Sequence, residues 1–132
     1  MPDAATREAF LAKNHFCVLG TLRQDGRARL SPMAYLYEDG KIYITTTRKR
    51  GGGRTARREP RVTVCVFDPT LTREYLTVYG RAEVYEDEAM TLRLFGMFRG
   101  GPLEGEALAT ARAEIVRDGR VMLRITPEEF FP

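Results

Sequence analysis

The sequence has no tryptophan, one histidine and two cysteines among 132 residues. A lone His15 with no partner nearby in sequence argues against a His/Cys metal centre and against a Ser–His–Asp catalytic set. Cys17 and Cys65 both lie in apolar, strand-like segments, so we expect buried free thiols in a reducing compartment rather than a disulfide. We therefore interpret His15 as structural and predict no metal site.

Long hydrophobic runs are also absent from the sequence. Its apolar runs fall far short of the ~20 residues that span a bilayer. The segment from Met1 to Lys13 contains two acids and lacks the apolar stretch of a signal peptide. We expect a cytoplasmic protein with no membrane partner. Its length suits one domain, residues 1–132, and its 43% hydrophobic and 30% charged residues are typical of a globular chain.

Positive charge is concentrated in one segment. Residues 48–61 contain seven cations and one acid, Glu59, whereas the whole chain has a net charge of +3. The remainder of the chain is therefore net negative. The seven cations are Arg48, Lys49, Arg50, Arg54, Arg57, Arg58 and Arg61.

Several features around this segment favour an anionic ligand. A predicted strand ends in three threonines, residues 45–47, three glycines follow at 51–53, and a short helical stretch runs from there to Pro60. Backbone N–H groups, cationic side chains and the positive end of a helix dipole all attract phosphate. The alternative is a solvated charged face with a mobile glycine loop. Nucleic acid is not expected, because residues 48–61 contain no aromatic side chain to stack on bases.

Hydrophobic periodicity predicts about four helices and six strands. Asp25-Gly26 and Asp39-Gly40 predict two hairpins, so residues 16–47 should form a three-stranded meander. Pro32 indicates an edge or bulged strand, and Gly80 a bulge or barrel corner. The predicted fold is α+β, mostly β: a six-stranded antiparallel barrel, closed or nearly closed, with short flanking helices. The predicted helices are Thr6–Lys13, the stretch ending at Pro60, Asp87–Phe98 and Glu104–Arg117, and the predicted strands are Phe16–Leu22, Ala28–Tyr37, Lys41–Thr47, Val62–Phe67, Tyr75–Tyr85 and Val121–Ile125.

Three groups of large apolar side chains exceed what one small core needs. They are either ordinary core or an interface, and we favour a homodimer interface. The groups are Met33, Tyr35 and Tyr37; Tyr75, Tyr79 and Tyr85; and Met90, Leu94, Phe95, Met97 and Phe98.

The order and spacing of several motifs resemble a known family. The motifs are VLGTLRQDGRARLSPMAYLYEDGKIYITTTRKR at 18–50, RREPRVTVCVFDP at 57–69, the stretch 80–87, and RVMLRITPE at 120–128. Together they resemble the flavin- and deazaflavin-binding split β-barrel proteins, the pyridoxamine 5'-phosphate oxidase-like group. The similarity is greatest to the small branch that uses the deazaflavin coenzyme F-420, and it covers roughly residues 10–128.

The resemblance implies a homodimeric split barrel with cofactor sites in the subunit interface. It implies that the third strand and the following turn hold the cofactor phosphate, and that the second strand lies along the ring. Two positions depart from the family pattern, since Gly52 stands at a usual Lys and Thr55 at a usual Asn, and neighbouring cations could replace the lost charge. The cofactor-binding residues that the resemblance implies are Arg29, Met33, Ala34, Thr45, Thr46, Thr47, Arg48, Lys49, Arg50, Arg54 and Thr55.

The function that this resemblance implies is a reductase that transfers a hydride from reduced coenzyme F-420 to a small unsaturated organic substrate. The sequence shows no obvious nucleophile or base, which agrees with chemistry carried by a cofactor. Tyr35, Tyr37 and Tyr79 are candidate proton donors. The alternatives are an FMN-dependent oxidase or reductase of the same fold and a non-catalytic cofactor-binding protein. The departures at Gly52 and Thr55 favour the non-catalytic alternative.

Overall fold

The computed structural model describes residues 3–48 and 51–132. Within these residues the chain forms seven strands and four helices. The elements are α1 Ala4–Lys13, β1 Phe16–Leu22, β2 Ala28–Ala34, β3 Leu36–Glu38, β4 Lys41–Thr47, α2 Gly51–Arg58, β5 Arg61–Asp68, β6 Leu71–Tyr85, α3 Glu88–Phe98, α4 Gly105–Asp118 and β7 Arg120–Phe131.

The strands form one antiparallel sheet in the order β2-β1-β5-β6-β7-β4-β3. The predicted second strand, residues 28–37, is interrupted at Tyr35, so the prediction of six strands was wrong. The two pieces lie at opposite edges of the sheet: β2 pairs with β1, and β3 pairs with β4. One residue spans only about 3.3–3.6 Å, so the sheet must curl until its two edges meet beside Tyr35.

The predicted meander over residues 16–47 was also wrong. β1 pairs on its other side with β5, and β4 pairs with β7. Both predicted hairpins are present, and β2 is an edge strand, as Pro32 indicated. The register of β6 and β7 shifts between Tyr79 and Gly80, which confirms the predicted bulge. A Cβ at Gly80 would lie 2.5 Å from the Thr126 carbonyl oxygen, so only glycine fits there.

The barrel interior is filled by alternating aliphatic residues from the strands. α1 contributes Phe10 and Leu11, and α2 contributes Ala56. A second cluster lies outside the barrel wall, where Leu94 of α3 covers Tyr43 and Met122. The strand residues of the first cluster include Cys17, Leu19, Ile42, Ile44, Val62, Val64, Val66, Leu76, Val78, Leu123 and Ile125.

Helix boundaries follow their capping residues. The Asp3 carboxylate accepts a hydrogen bond from the Thr6 backbone N–H, so α1 begins earlier than the predicted Thr6. Asp87 caps α3 through the Met90 N–H. α4 ends at Gly119, which is in the left-handed conformation. Val116 of α4 is apolar but 83% exposed.

Candidate cofactor-binding site

A cleft of about 700 Å³ lies between the β1–β2 hairpin and α2. It is predominantly polar, and four of its side chains are guanidinium groups. We call it the arginine cleft and define it by Thr21, Arg23, Arg29, Arg54, Thr55 and Arg58.

Two secondary-structure relationships bring these side chains together. Arg54 and Arg58 are four residues apart on α2 and therefore share one helix face. Arg29 is the direct cross-strand partner of Thr21, so both side chains project from the same face of the β1–β2 pair. The Nη2 atom of Arg58 donates a 2.7 Å hydrogen bond to the Leu22 carbonyl oxygen, which joins the two walls.

The cleft has an excess of positive charge that is not neutralised within the described residues. Arg23 forms an ion pair with Asp25 at 3.1 Å. The side chains of Arg29 and Arg54 form no hydrogen bond or ion pair within residues 3–48 and 51–132. Two guanidinium groups facing one cleft can donate charge-assisted hydrogen bonds to an anion, and their planar donor sets match phosphate oxygens.

The structure brings together three of the predicted cofactor-binding residues, Arg29, Arg54 and Thr55, in this cleft. Met33 and Ala34 lie elsewhere, half-buried against the two hydrophobic clusters. They belong to β2, whose inner-face residue Arg29 reaches the cleft, so the strand itself borders the site.

The three threonines of β4 are separated by the alternation of the strand. Thr46 and Thr47 are buried. The Thr45 hydroxyl oxygen is buried and has no hydrogen-bond partner in the described residues, and the Nε of Arg120 shares this property. Arg120 pairs in register with Thr47, so these two unsatisfied atoms lie on neighbouring strands. They do not line the arginine cleft.

Arg48 is held away from the arginine cleft by an ion pair with Glu86. Its aliphatic stem packs over Gly119, and its backbone N–H donates to the Gly119 carbonyl at 3.0 Å. The side chain of Arg48 thus lies beside the start of β7 and does not line the arginine cleft. Lys49 and Arg50 lie outside the described residues, so the predicted contribution of the turn between β4 and α2 stays a prediction.

Two of the three predicted proton donors have structural roles. Tyr35 is fully buried, and its hydroxyl donates to the Leu11 carbonyl at 2.7 Å. Tyr37 donates to the Glu8 carboxylate at 2.6 Å. Burial raises the pKa of both phenols well above the ordinary value. Tyr79 is 42% exposed on the outer face of the sheet.

Sequence reasoning missed Thr21, Arg23 and Arg58 as site residues. Arg58 was one of the counted cations, and its spacing of four from Arg54 could have placed it on the same side of the helix. Arg23 flanks the Asp25-Gly26 hairpin. Nothing in the sequence indicates that this hairpin packs beside α2, because β1 and α2 are separated by 28 residues.

The comparisons with known proteins decide the family. The sequence model described as pyridoxamine 5'-phosphate oxidase matches residues 4–132. The chain belongs to the pyridoxamine 5'-phosphate oxidase family. No curated protein matches the sequence.

Solved structures share the fold of this pyridoxamine 5'-phosphate oxidase family member. One is an F420 reductase, 26% identical, with a TM-score of 0.75 over 99% of this chain and 98% of that one. A conserved hypothetical protein from Mycobacterium tuberculosis is 24% identical, with a TM-score of 0.78 over 98% of this chain and 83% of that one. A FAD-binding protein from Mesorhizobium loti is 21% identical, with a TM-score of 0.65 over 97% of this chain and 91% of that one.

Proposed function

We propose that this family member is a flavin- or deazaflavin-binding oxidoreductase, and specifically a reductase dependent on coenzyme F-420. The observation that carries the proposal is the arginine cleft, in which Arg29 and Arg54 face a cavity without a partner among the described residues. Such a site fits the phosphate of a flavin-type cofactor. The similarity over nearly the full chain to an F420 reductase supports the choice of the deazaflavin.

The residues of the chain bind and orient the cofactor and do not themselves react with the substrate. Arg29 and Arg54 hold the phosphate, and the hydroxyls of Thr21 and Thr55 provide further hydrogen bonds. Arg58 fixes α2 against β1 through its bond to Leu22 and so fixes the distance between the two phosphate-binding walls. The bound cofactor supplies the hydride.

A small unsaturated organic molecule is the proposed hydride acceptor. If a proton must also be delivered, Tyr79 is the candidate among the three tyrosines, because the hydroxyls of Tyr35 and Tyr37 are already engaged by Leu11 and Glu8. Its side chain is accessible on the sheet surface.

FMN is the second candidate cofactor. A guanidinium pair recognises the phosphate group, which FMN and coenzyme F-420 share, and one solved structure of this fold is a FAD-binding protein. A protein that binds either cofactor without turnover is the third reading. These readings differ in cofactor selectivity and in turnover, which one set of measurements resolves.

The proposed partner is a second copy of the chain. Four aromatic side chains are 41–56% exposed: Phe16 of β1, Tyr75 of β6, Phe98 at the end of α3 and Phe131 at the end of β7. The register aligns Phe16 and Tyr75 with Phe67 between them. The rings of Phe16 and Phe98 are in edge contact at 5.8 Å. We call these four residues the aromatic face; its contiguous apolar area is typical of an interface.

Titration of the purified protein with coenzyme F-420, FMN and phosphate-free riboflavin tests the proposal. We expect coenzyme F-420 to bind, FMN to bind more weakly, and riboflavin to bind weakest of the three. Arg54→Gln should weaken binding of the phosphorylated cofactors by about 1.5–3 kcal/mol, which is about 10- to 150-fold. The matched control is Arg57→Gln, since Arg57 is on the same helix but does not line the cleft.

The outcomes separate the three readings. Binding of coenzyme F-420 with hydride transfer supports the reductase. Selective binding of FMN favours the flavin enzyme, and binding without turnover favours a carrier. If neither cofactor binds, or if Arg54→Gln and Arg57→Gln behave alike, the arginine cleft is not the phosphate site.

A further inference from the structure

A second cleft, of about 530 Å³, opens on the outer surface of the sheet. It lies where β1, β2, β5 and β6 run side by side. We call it the apolar cleft and define it by Gly20, Leu22, Ala28, Leu30, Thr63 and Tyr79.

The strand register explains why a trough forms here. Leu30, Gly20, Thr63 and Tyr79 are successive cross-strand partners on β2, β1, β5 and β6. They therefore form one transverse row with large side chains at both ends and little between them. A Cβ at Gly20 would lie 3.3 Å from the Thr63 carbonyl oxygen and 3.4 Å from Leu30 Cδ2, so the floor is already closely packed.

The charged groups at the rim of the apolar cleft are neutralised by their own partners. Arg61 donates to the Glu59 carboxylate at 3.1 Å, and this contact lowers the pKa of Glu59 to about 2. Glu128 accepts from Arg81 at 3.3 Å. A charged ligand would thus gain no new ion pair here, in contrast to the arginine cleft with its two unpartnered guanidinium groups.

The two clefts adjoin at the end of β1. Both are lined by Thr21 and Leu22. The two clefts thus share a wall at the end of β1, with the arginine cleft on the inner-face side of the β1–β2 pair and the apolar cleft on its outer face. The volume is within the range of about 300–1,000 Å³ that is typical of small-molecule sites.

We propose that the apolar cleft binds the organic substrate, and that this substrate is an uncharged, mainly apolar small molecule. Leu30 and Tyr79 contact its two sides, and the Thr63 and Tyr79 hydroxyls provide neutral hydrogen-bonding groups. The role of this molecule as a substrate rests on the proposed function. The binding of an uncharged apolar molecule follows from the lining of the cleft itself.

The test uses a pair of dyes with the same fused-ring scaffold, uncharged Nile red and cationic Nile blue, titrated against the full chain with fluorescence detection. We expect Nile red to bind at least tenfold more tightly than Nile blue. Leu30→Glu places a charge in the trough and should weaken Nile red at least tenfold. Leu30 is 69% exposed, so the variant is expected to fold. Tyr79→Ala, which removes the opposite wall, is the second variant and should also weaken Nile red.

The matched control is Val116→Glu, which introduces the same charge on α4, outside both clefts and the aromatic face, at a side chain that is 83% exposed. It should leave the Nile red affinity within twofold. The reverse pattern, in which Val116→Glu abolishes binding and Leu30→Glu does not, would overturn the proposal. Equal affinity for the two dyes would refute the uncharged ligand.

Analytical ultracentrifugation of the same variants tests whether a second copy of the chain, rather than a small molecule, covers the apolar cleft. If Leu30→Glu converts an oligomer into a monomer, the trough is an interface between copies and the proposal fails. Neither dye contains a phosphate, so a failure of cofactor binding in the earlier titration does not alter this result. Conversely, loss of dye binding leaves the phosphate site of the arginine cleft untouched.

Discussion

Arg58 is hydrogen-bonded to the backbone of Leu22, with 2.7 Å between the Nη2 atom and the carbonyl oxygen. This contact joins the last turn of α2 to the last residue of β1. Arg58 itself lines the arginine cleft, so one side chain supports the cleft and also carries part of its charge. This hydrogen bond therefore contributes to the shape of the cleft, together with the packing of Ala56 of α2 in the core.

Replacing Arg58 should affect both stability and ligand binding. We expect Arg58→Ala to lower the free energy of unfolding by about 0.5–1.5 kcal/mol, since one net hydrogen bond is lost. It should also weaken FMN and coenzyme F-420 binding, because Arg54 and Thr55 lose their fixed position. Urea denaturation and cofactor titration measure the two effects. Arg57→Ala is the control, and equal losses in both variants would contradict a specific role for Arg58.

Arg48 should matter less for cofactor binding than Arg54. Glu86 pairs with Arg48 and would have to be displaced before Arg48 could hold a phosphate. We expect Arg48→Gln to change the dissociation constant for FMN or coenzyme F-420 by less than about threefold, a fraction of the change for Arg54→Gln. A tenfold loss in Arg48→Gln would show that the ion pair opens and that Arg48 belongs to the site.

Tyr35 should contribute to stability and not to catalysis. Tyr35→Phe leaves the buried Leu11 carbonyl without its partner, so we expect a loss of about 1–3 kcal/mol in the free energy of unfolding. The rate of hydride transfer by the folded variant should stay unchanged. Tyr75→Phe, at an exposed position, is the control. A variant of normal stability but lowered rate would restore Tyr35 as a proton donor.

Cys17 should resist alkylation at mildly alkaline pH. Burial raises the pKa of its thiol from 9.0 to about 12, so the reactive thiolate is scarce at pH 8 to 9. The raised pKa contributes stability below pH 9 that is lost as the pH rises towards 12. Iodoacetamide labelling followed by mass spectrometry measures the first effect, and alkaline unfolding of wild type and Cys17→Ala the second. Rapid native labelling at pH 8 would be inconsistent with this burial.

Local features of the fold were predictable from the sequence. The Asp-Gly turns, the valine alternation of β5 and the Asp87 cap are each set by neighbouring residues. The interruption at Tyr35 was not, because the period-two alternation of residues 28–37 continues through this position without a break. The position of Tyr35 is fixed instead by its hydroxyl, which donates to the Leu11 carbonyl on α1, an element outside the predicted strand.

The candidate site was predictable to a similar extent. Local charge identified Arg54 as a candidate anion-binding residue and the family resemblance identified Arg29 as a cofactor-binding residue, and both line the cleft. Arg48 carries the same charge but pairs with Glu86, 38 residues further along the chain. Which cation of a run is left without a partner depends on where acids from other elements fold, and the basic segment alone contains no information about that.

The interruption at Tyr35 has a consequence for misfolding. β2 and β3 are the two outermost strands, and a single residue connects them. Cutting or lengthening the chain at that residue would allow the curled sheet to flatten. The unpaired backbone groups of both edge strands would then be accessible to other molecules. Intermolecular strand addition, leading to insoluble aggregates, is the expected result for such a nicked chain.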